Sequence, residues 1–114
     1  MSGGIINAPL ILKTTQGTML KEVPEPTKAF LQLLRTAEKD DALSTKQKQL
    51  ICLGISLFAR CQSCIIHHTK LALKAGASRE EILSACGVTL SMGGSPIMFG
   101  ISTVLDALEA FDIS

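Results

Sequence analysis

Residues 59–70 read ARCQSCIIHHTK and join two apolar helical segments. Cys61 and Cys64 are three residues apart and His68 follows Cys64 by four, so all three share one face if this stretch is helical. A helix that starts at Cys61 and runs to about Ala75 places unpaired backbone N–H groups and the positive end of its dipole beside both sulfurs. Both effects favour the thiolate, which is the reactive form of cysteine. The spacing therefore predicts a compact thiol site in which His68 exchanges a proton with Cys64.

Other kinds of site also use a Cys-x-x-Cys pair. Cys61, Cys64 and His68 are three suitable zinc ligands, although the second cysteine knuckle of a structural zinc motif is missing. A c-type haem site needs histidine directly after the second cysteine, and Ile65 stands there. Thioredoxin-like domains need βαβ units, and no strand pattern flanks this motif. Zinc binding and an inert pair of core cysteines stay open from the residues alone.

The composition describes a single domain with modest charge. The chain has 114 residues, of which 46% are hydrophobic, and this surplus of apolar side chains predicts a homo-oligomer. With 11 Lys and Arg against 10 Asp and Glu, no strong field attracts nucleic acid or an anionic membrane. Neither a signal sequence nor an apolar run of about 18 residues is visible, so we expect a cytoplasmic protein without a membrane partner. Reducing conditions there make a close cysteine pair typical of catalysis, redox sensing or metal binding.

The remaining sequence predicts an all-α fold. Residues 1–23 contain Pro9 and several glycines and show no helical period, so we predict an irregular N-terminal arm. Residues 24–114 are predicted to form one helical domain. About five helices are expected there, over residues 24–39, 45–60, 61–75, 79–92 and 96–113.

Local signals mark the ends of these helices. Capping-box patterns open two of them, at Ser44 and at Ser78. Gly76 suits a left-handed residue just after the motif helix. Gly93–Gly94 is expected to end the fourth helix, and Ser95 to cap the fifth.

The helix over residues 45–60 carries apolar side chains all round its axis, which is typical of a central helix buried on nearly all sides. Cys52 belongs to this apolar set and is interpreted as a small hydrophobic residue. His67 points about 100° away from His68 on a helix, so we expect it at the surface or at a subunit interface.

The stretch from Gln49 to Ala77, with the Cys-x-x-Cys-x-x-x-His core at its centre, resembles the carboxymuconolactone decarboxylase family. More narrowly, it is similar to the alkyl hydroperoxidase D-like (AhpD-like) branch, over about residues 24–111. This resemblance implies an all-α subunit in a trimer or ring-like hexamer, with thiol-dependent peroxidase or disulfide-reductase activity. The implied partners are a peroxide or disulfide substrate and an external dithiol reductant, and no bound cofactor is needed.

The resemblance also implies roles for individual residues. Cys64 would attack peroxide, Cys61 would resolve the product, and His68 would carry the proton. The branch usually has glutamate twelve positions before the first motif cysteine, and this chain has Gln49 there. Gln49 can form a hydrogen bond with His68 across antiparallel helices but cannot take up a proton at neutral pH. Without a carboxylate nearby, we expect His68 to be a weaker base and the substitution Gln49→Glu to accelerate peroxide reduction.

Two other functions stay open. The chain could be a non-catalytic assembly protein in which Cys61 and Cys64 sense redox state or metal without turnover. It could also be a carboxymuconolactone decarboxylase-like lyase, although the decarboxylase members of the family generally lack the paired cysteines.

Overall fold

The computed structural model describes the backbone of residues 2–111 and the side chains of residues 9–111. Within this range the chain forms six helices and no strand: α1 (Ser2–Glu22), α2 (Pro24–Glu38), α3 (Thr45–Phe58), α4 (Gln62–Lys74), α5 (Arg79–Gly93) and α6 (Ser95–Ala110). The predicted all-α fold is confirmed, with one helix more than expected. Over the same residues, none of the helices combines the length and hydropathy that crossing a membrane requires.

The additional helix is α1, and the prediction of an irregular arm is wrong for residues 2–22. Pro9 and the glycines lower the intrinsic helix propensity of this segment, and its apolar residues form no single stripe, so neither local signal indicates a helix. Contacts with α2, α4 and α6 stabilise the helix in the folded chain. The division of the chain into units at residues 1–23 and 24–114 stays a prediction.

The core lies between the last four helices, and α3 packs against α4, α5 and α6. The fully buried aliphatic side chains come from all four: Leu53, Leu57, Ile65, Ile82, Val104 and Leu108. Gly100 lets α6 approach α3 closely, since a Cβ atom there would lie 2.7 Å from Leu57 Cδ2. The motif helix α4 packs against α3 and α6 and contributes Ile65 to this core.

The turn between α3 and α4 positions the first motif cysteine. Arg60 has a φ of +57°, in the left-handed region, and this reverses the chain direction. The backbone N–H of Cys61 then donates to the Ser56 carbonyl at 3.2 Å. Helix α3 ends at Phe58, two residues before the predicted end, because the turn needs those residues.

Most of the predicted helix ends are confirmed. Both capping boxes form, at Ser44 and at Ser78. Gly76 has a φ of +94°, as expected for a left-handed residue after a helix. The prediction for Ser95 is wrong by one residue, because Gly94 is the cap and Ser95 is the first helical residue. The chain changes direction between α5 and α6 at Gly94, which has a φ of +72°. Ser95 therefore already has a helical conformation and not the extended one of an N-cap residue.

The prediction that α3 is buried on nearly all sides is wrong for the single chain. Ile51, Ile55 and Phe58 lie on one face of α3 and are 50%, 64% and 57% exposed. The neighbouring helices cover mainly the other faces, so within the part of the chain that the structure describes this apolar strip stays half or more exposed.

Candidate active site

Cys61 is the N-cap residue of α4, and its sulfur takes the place of the usual hydroxyl or carboxylate oxygen. The backbone N–H of Cys64 donates to Cys61 Sγ at 3.3 Å. The two sulfurs are joined in a disulfide, with Cα atoms 5.2 Å apart. The helix start therefore offers a hydrogen bond and a positive dipole end to charge on Cys61 when the disulfide is open.

His68 and Gln49 lie together, as the sequence predicted. The two residues are on α4 and α3, and Gln49 Oε1 is 2.8 Å from His68 Nδ1. Gln49 is only 4% exposed, so its amide is held inside the protein. Burial lowers the pKa of the half-buried His68, and the neighbouring His67 lowers it further, whereas the charge of Glu38 raises it.

Glu38 is the residue that the sequence analysis missed. The Gln49 Nε2 group donates to Glu38 Oε1 at 2.7 Å, so a hydrogen-bonded chain runs from His68 through Gln49 to a carboxylate. The expectation that no carboxylate lies near His68 is therefore wrong. The sequence contained one signal for it. Glu38 is the last residue of α2, and a negative charge is disfavoured at that end of a helix, so a carboxylate there is unusual.

The loop between α2 and α3 holds Glu38 in this place. Lys48 Nζ donates to the Ala37 carbonyl at 2.9 Å, which ties the C-terminal end of α2 to the first turn of α3. The same ammonium group forms an ion pair with Asp41 at 2.9 Å, and its side chain is only 13% exposed. These contacts bring the ends of the two helices together next to Gln49.

Cys52 also faces this cluster and not the core, which corrects its interpretation as a purely hydrophobic residue. The ligand-type atoms of Glu38, Cys52 and His68 all lie within 4.8 Å of one another. Burial raises the pKa of Cys52, and the Glu38 charge raises it further. Carboxylate, thiol and imidazole are zinc donor types, but Gln49 already forms hydrogen bonds with two of the three groups.

The zinc site considered from the sequence used a different set of donors. Cys61 and Cys64 are bonded to each other in this structure, and a disulfide offers no thiolate to a metal ion. In this form of the chain, the pair and His68 do not make a zinc site.

His67 is half-buried and lies beside the site. Its ring meets that of His68 edge-on, with the ring centroids 4.9 Å apart. Burial lowers the pKa of His67 and is the largest effect on it. The charge of Glu38 raises this pKa and the charge of Lys70 lowers it, both to a smaller degree. His67 therefore contributes to the electrostatic surroundings of His68 without joining its hydrogen-bonded chain.

A cavity of about 590 Å³ opens beside the turn that carries Cys61. Its wall combines apolar and polar side chains from α3, α4 and α6 and from the turn: Leu57, Arg60, Gln62, Ile65, Pro96, Phe99 and Thr103. A small molecule in this cavity would lie next to the residues on both sides of Cys61.

Comparison with known proteins places this arrangement in a family. Residues 24–109 match the carboxymuconolactone decarboxylase family. A crystal structure of a family member from Legionella pneumophila superposes with a TM-score of 0.82, at 34% identity, covering 94% of this chain and 93% of that one. A family member from Thermotoga maritima, with a suggested part in an antioxidative response, has a TM-score of 0.81 at 27% identity, covering 90% and 87%.

An uncharacterized protein of Cupriavidus necator is 29% identical over 96 residues, which cover 84% of this chain and 82% of that protein. The family match includes α2 to α6 almost completely and contains the cysteine pair, Gln49 and His68. On the match and the shared fold together, this chain belongs to the carboxymuconolactone decarboxylase family.

Proposed function

We propose that this protein is an AhpD-like dithiol peroxidase, with Cys64, Cys61, His68 and Gln49 as its site residues. The observation that carries the proposal is the cysteine pair at the N-terminus of α4, with His68 one turn further along the same helix. The family match supports it at a coarser level, and so does the antioxidative part suggested for the Thermotoga maritima relative.

The proposed cycle has three steps. Cys64 thiolate attacks one oxygen of a hydroperoxide, the O–O bond breaks, and the products are Cys64 sulfenic acid and an alcohol or water once the leaving oxygen has gained a proton. Cys61 thiolate then attacks the Cys64 sulfur and displaces hydroxide, which is protonated to water as the disulfide forms. An external dithiol reduces the disulfide by exchange and is itself oxidised to a disulfide.

The structure suggests how the chain assists these steps. His68 can remove the thiol proton of Cys64 and return it to the leaving oxygen, since residues four apart share a helix face. The N-cap hydrogen bond stabilises negative charge on Cys61, which is the charge that appears when a reductant opens the disulfide at Cys64. No bound cofactor is required, and we place the reaction in the cytoplasm, where dithiol reductants keep such a pair reduced.

The mass of the intact protein tests this function. Fully reduced protein treated with one equivalent of peroxide should lose two hydrogens as the disulfide forms, and Cys61→Ser should abolish that loss and accumulate oxidised Cys64. Cys86→Ala is the matched control, because Cys86 lies in the core and should leave the reaction unchanged. Thiols that stay reduced in the natural protein would exclude the peroxidase. Stoichiometric zinc in protein purified without chelator would instead favour a metal sensor.

We also propose that the protein is a homo-oligomer, a trimer or a hexamer. The exposed apolar strip of α3 supports this proposal, as does Phe99 on α6, which is 80% exposed. Light scattering at micromolar concentration should give a mass of at least three chains, and a monomeric mass would refute the proposal. Ile55→Lys should dissociate the assembly if the strip is the interface.

A further inference from the structure

Glu38 decides which way the Gln49 amide points. An ionised carboxylate only accepts hydrogen bonds, so the group 2.7 Å from Glu38 Oε1 has to be the amide NH₂ of Gln49. The amide oxygen of Gln49 must then face His68 Nδ1, which lies 2.8 Å away. That oxygen is also only an acceptor, so Nδ1 carries the hydrogen. The orientation of one amide thus determines the tautomer of the imidazole.

We propose that Glu38 is a positioning residue of the thiol site: through Gln49 it holds His68 with its hydrogen on Nδ1 and its lone pair on Nε2. This proposal rests on the proposed peroxidase function, because it gives the base of that reaction a defined atom. The side chain of Gln49 does not need to take up a proton. It relays the orientation set by the Glu38 carboxylate, while the charge of that carboxylate acts on His68 through space. Other members of the AhpD-like branch are expected to carry the carboxylate at position 49 itself.

The charge of Glu38 acts on His68 in the same sense as this geometry. The groups that face it are Glu38 from α2, Cys52 from α3 and His67 on its own helix. Burial and the neighbouring His67 lower the pKa of His68, and among these groups Glu38 is the one that raises it. Removing the Glu38 charge should therefore lower that pKa further and weaken the base.

This arrangement reverses the expectation for Gln49→Glu. A glutamate at position 49 would lie within hydrogen-bonding distance of the Glu38 carboxylate, and two carboxylates this close keep a shared proton. The single substitution should therefore give no gain in rate. The exchange of both side chains, Glu38→Gln with Gln49→Glu, should instead place a carboxylate directly on His68 Nδ1 and an amide behind it.

Nitrogen-15 NMR of the imidazole tests the proposal directly. The chain has two histidines, so a His67→Gln background leaves His68 as the only signal. In that background we expect the Nδ1–H tautomer with Glu38 present. Glu38→Gln allows both amide orientations, so we expect a mixture of tautomers and a lower pKa for His68. Glu25→Gln is the control, because it removes the same charge from an exposed position in the first turn of α2.

The rate of disulfide formation with peroxide is the second measurement. Glu38→Gln should slow it about tenfold, which is part of the roughly 10²–10⁴-fold that general acid–base assistance provides. The exchange variant should recover most of the loss, and Glu25→Gln should match the natural protein. If Glu38 had only a structural role, the exchange variant would not recover the rate of disulfide formation.

Several results would overturn the proposal. An unchanged tautomer and pKa of His68 in Glu38→Gln would do so whatever the rate. If the natural protein does react with peroxide, a changed tautomer with an unchanged rate would do so too. A slow Glu38→Gln that the exchange variant fails to rescue would assign Glu38 to structure only. If the natural protein does not react with peroxide while the tautomer responds to Glu38→Gln, the peroxidase function falls and the positioning of His68 by Glu38 stands.

Discussion

The four cysteines of this chain occupy two contrasting environments. Cys61 and Cys64 lie at the start of α4, where a backbone N–H group reaches Cys61 Sγ. Cys86 lies inside α5 and is 1% exposed, and burial raises the pKa of its thiol to about 11. Cys52 lies inside α3, where burial and the nearby Glu38 charge both raise its pKa. A cysteine thiolate is thus stabilised at the start of a helix, whereas burial within a helix destabilises it.

The difference predicts that the backbone position of each cysteine decides how readily its thiol reacts. A helix N-terminus supplies unpaired N–H groups and a positive dipole end, both of which favour a thiolate. Within a helix every N–H group is already bonded to a carbonyl, and burial in apolar surroundings favours the neutral thiol. Cys64 and Cys86 are therefore expected to differ in reactivity although both belong to helices of the same core.

Alkylation at pH 7 should give the largest effect in this comparison. In reduced protein treated with iodoacetamide, we expect Cys61 and Cys64 to react first, Cys52 later and Cys86 last. A thiol with a pKa of about 11 is ionised in only about one molecule in 10⁴ at pH 7. The fastest and slowest sites should therefore differ on the order of 10³-fold, measured by mass spectrometry of the labelled peptides.

Protein unfolded in urea is the control, because all four thiols then have similar surroundings and should react at similar rates. Equal labelling of Cys64 and Cys86 in the folded protein would contradict the contrast between the two environments. Such a result would also remove the electrostatic support for Cys64 as the attacking thiol.

A smaller change in alkylation rate should separate the two causes that raise the pKa of Cys52, burial and the charge of Glu38. Glu38→Gln removes a negative charge that raises the pKa of Cys52, so more thiolate should be present at pH 7. We expect alkylation of Cys52 to accelerate by only a few-fold, since burial is the larger cause and remains. The measurement is the labelling rate of the Cys52 peptide in the natural protein, Glu38→Gln and the charge-matched Glu25→Gln.

Labelling of Cys86 should be the same in all three proteins, because no charge of Glu38 acts on it. If Cys52 is unaffected by Glu38→Gln, its thiol does not sense the carboxylate, and the compact cluster of Glu38, Cys52 and His68 is wrong. A large acceleration of both thiols would indicate loosening of the fold.

Features that depend on neighbouring residues could be predicted from the sequence. The capping boxes at Ser44 and Ser78, the left-handed Gly76 and the helix that follows Cys61 are all found where they were expected. Each depends on hydrogen bonds or dihedral angles within a few residues, so the local sequence contains the necessary information.

Apart from small shifts at helix ends, the wrong predictions share one physical cause. Helix α1 has weak local propensity and forms with tertiary contacts, while the exposed face of α3 depends on which sides its neighbours cover. Glu38 was missed and Cys52 was interpreted as a small hydrophobic residue, because the two meet only through the packing of α2 against α3 and no local pattern connects them.

The sequence by itself determined an all-α chain, the start of α4 at the cysteine pair, and the placing of His68 one turn after Cys64, because helix geometry fixes those relations locally. Only the tertiary structure decided that Gln49 lies between His68 and Glu38. Glu38 and His68 are thirty residues apart in the sequence, and they meet because the packing of α2, α3 and α4 sets which side chains share a buried space.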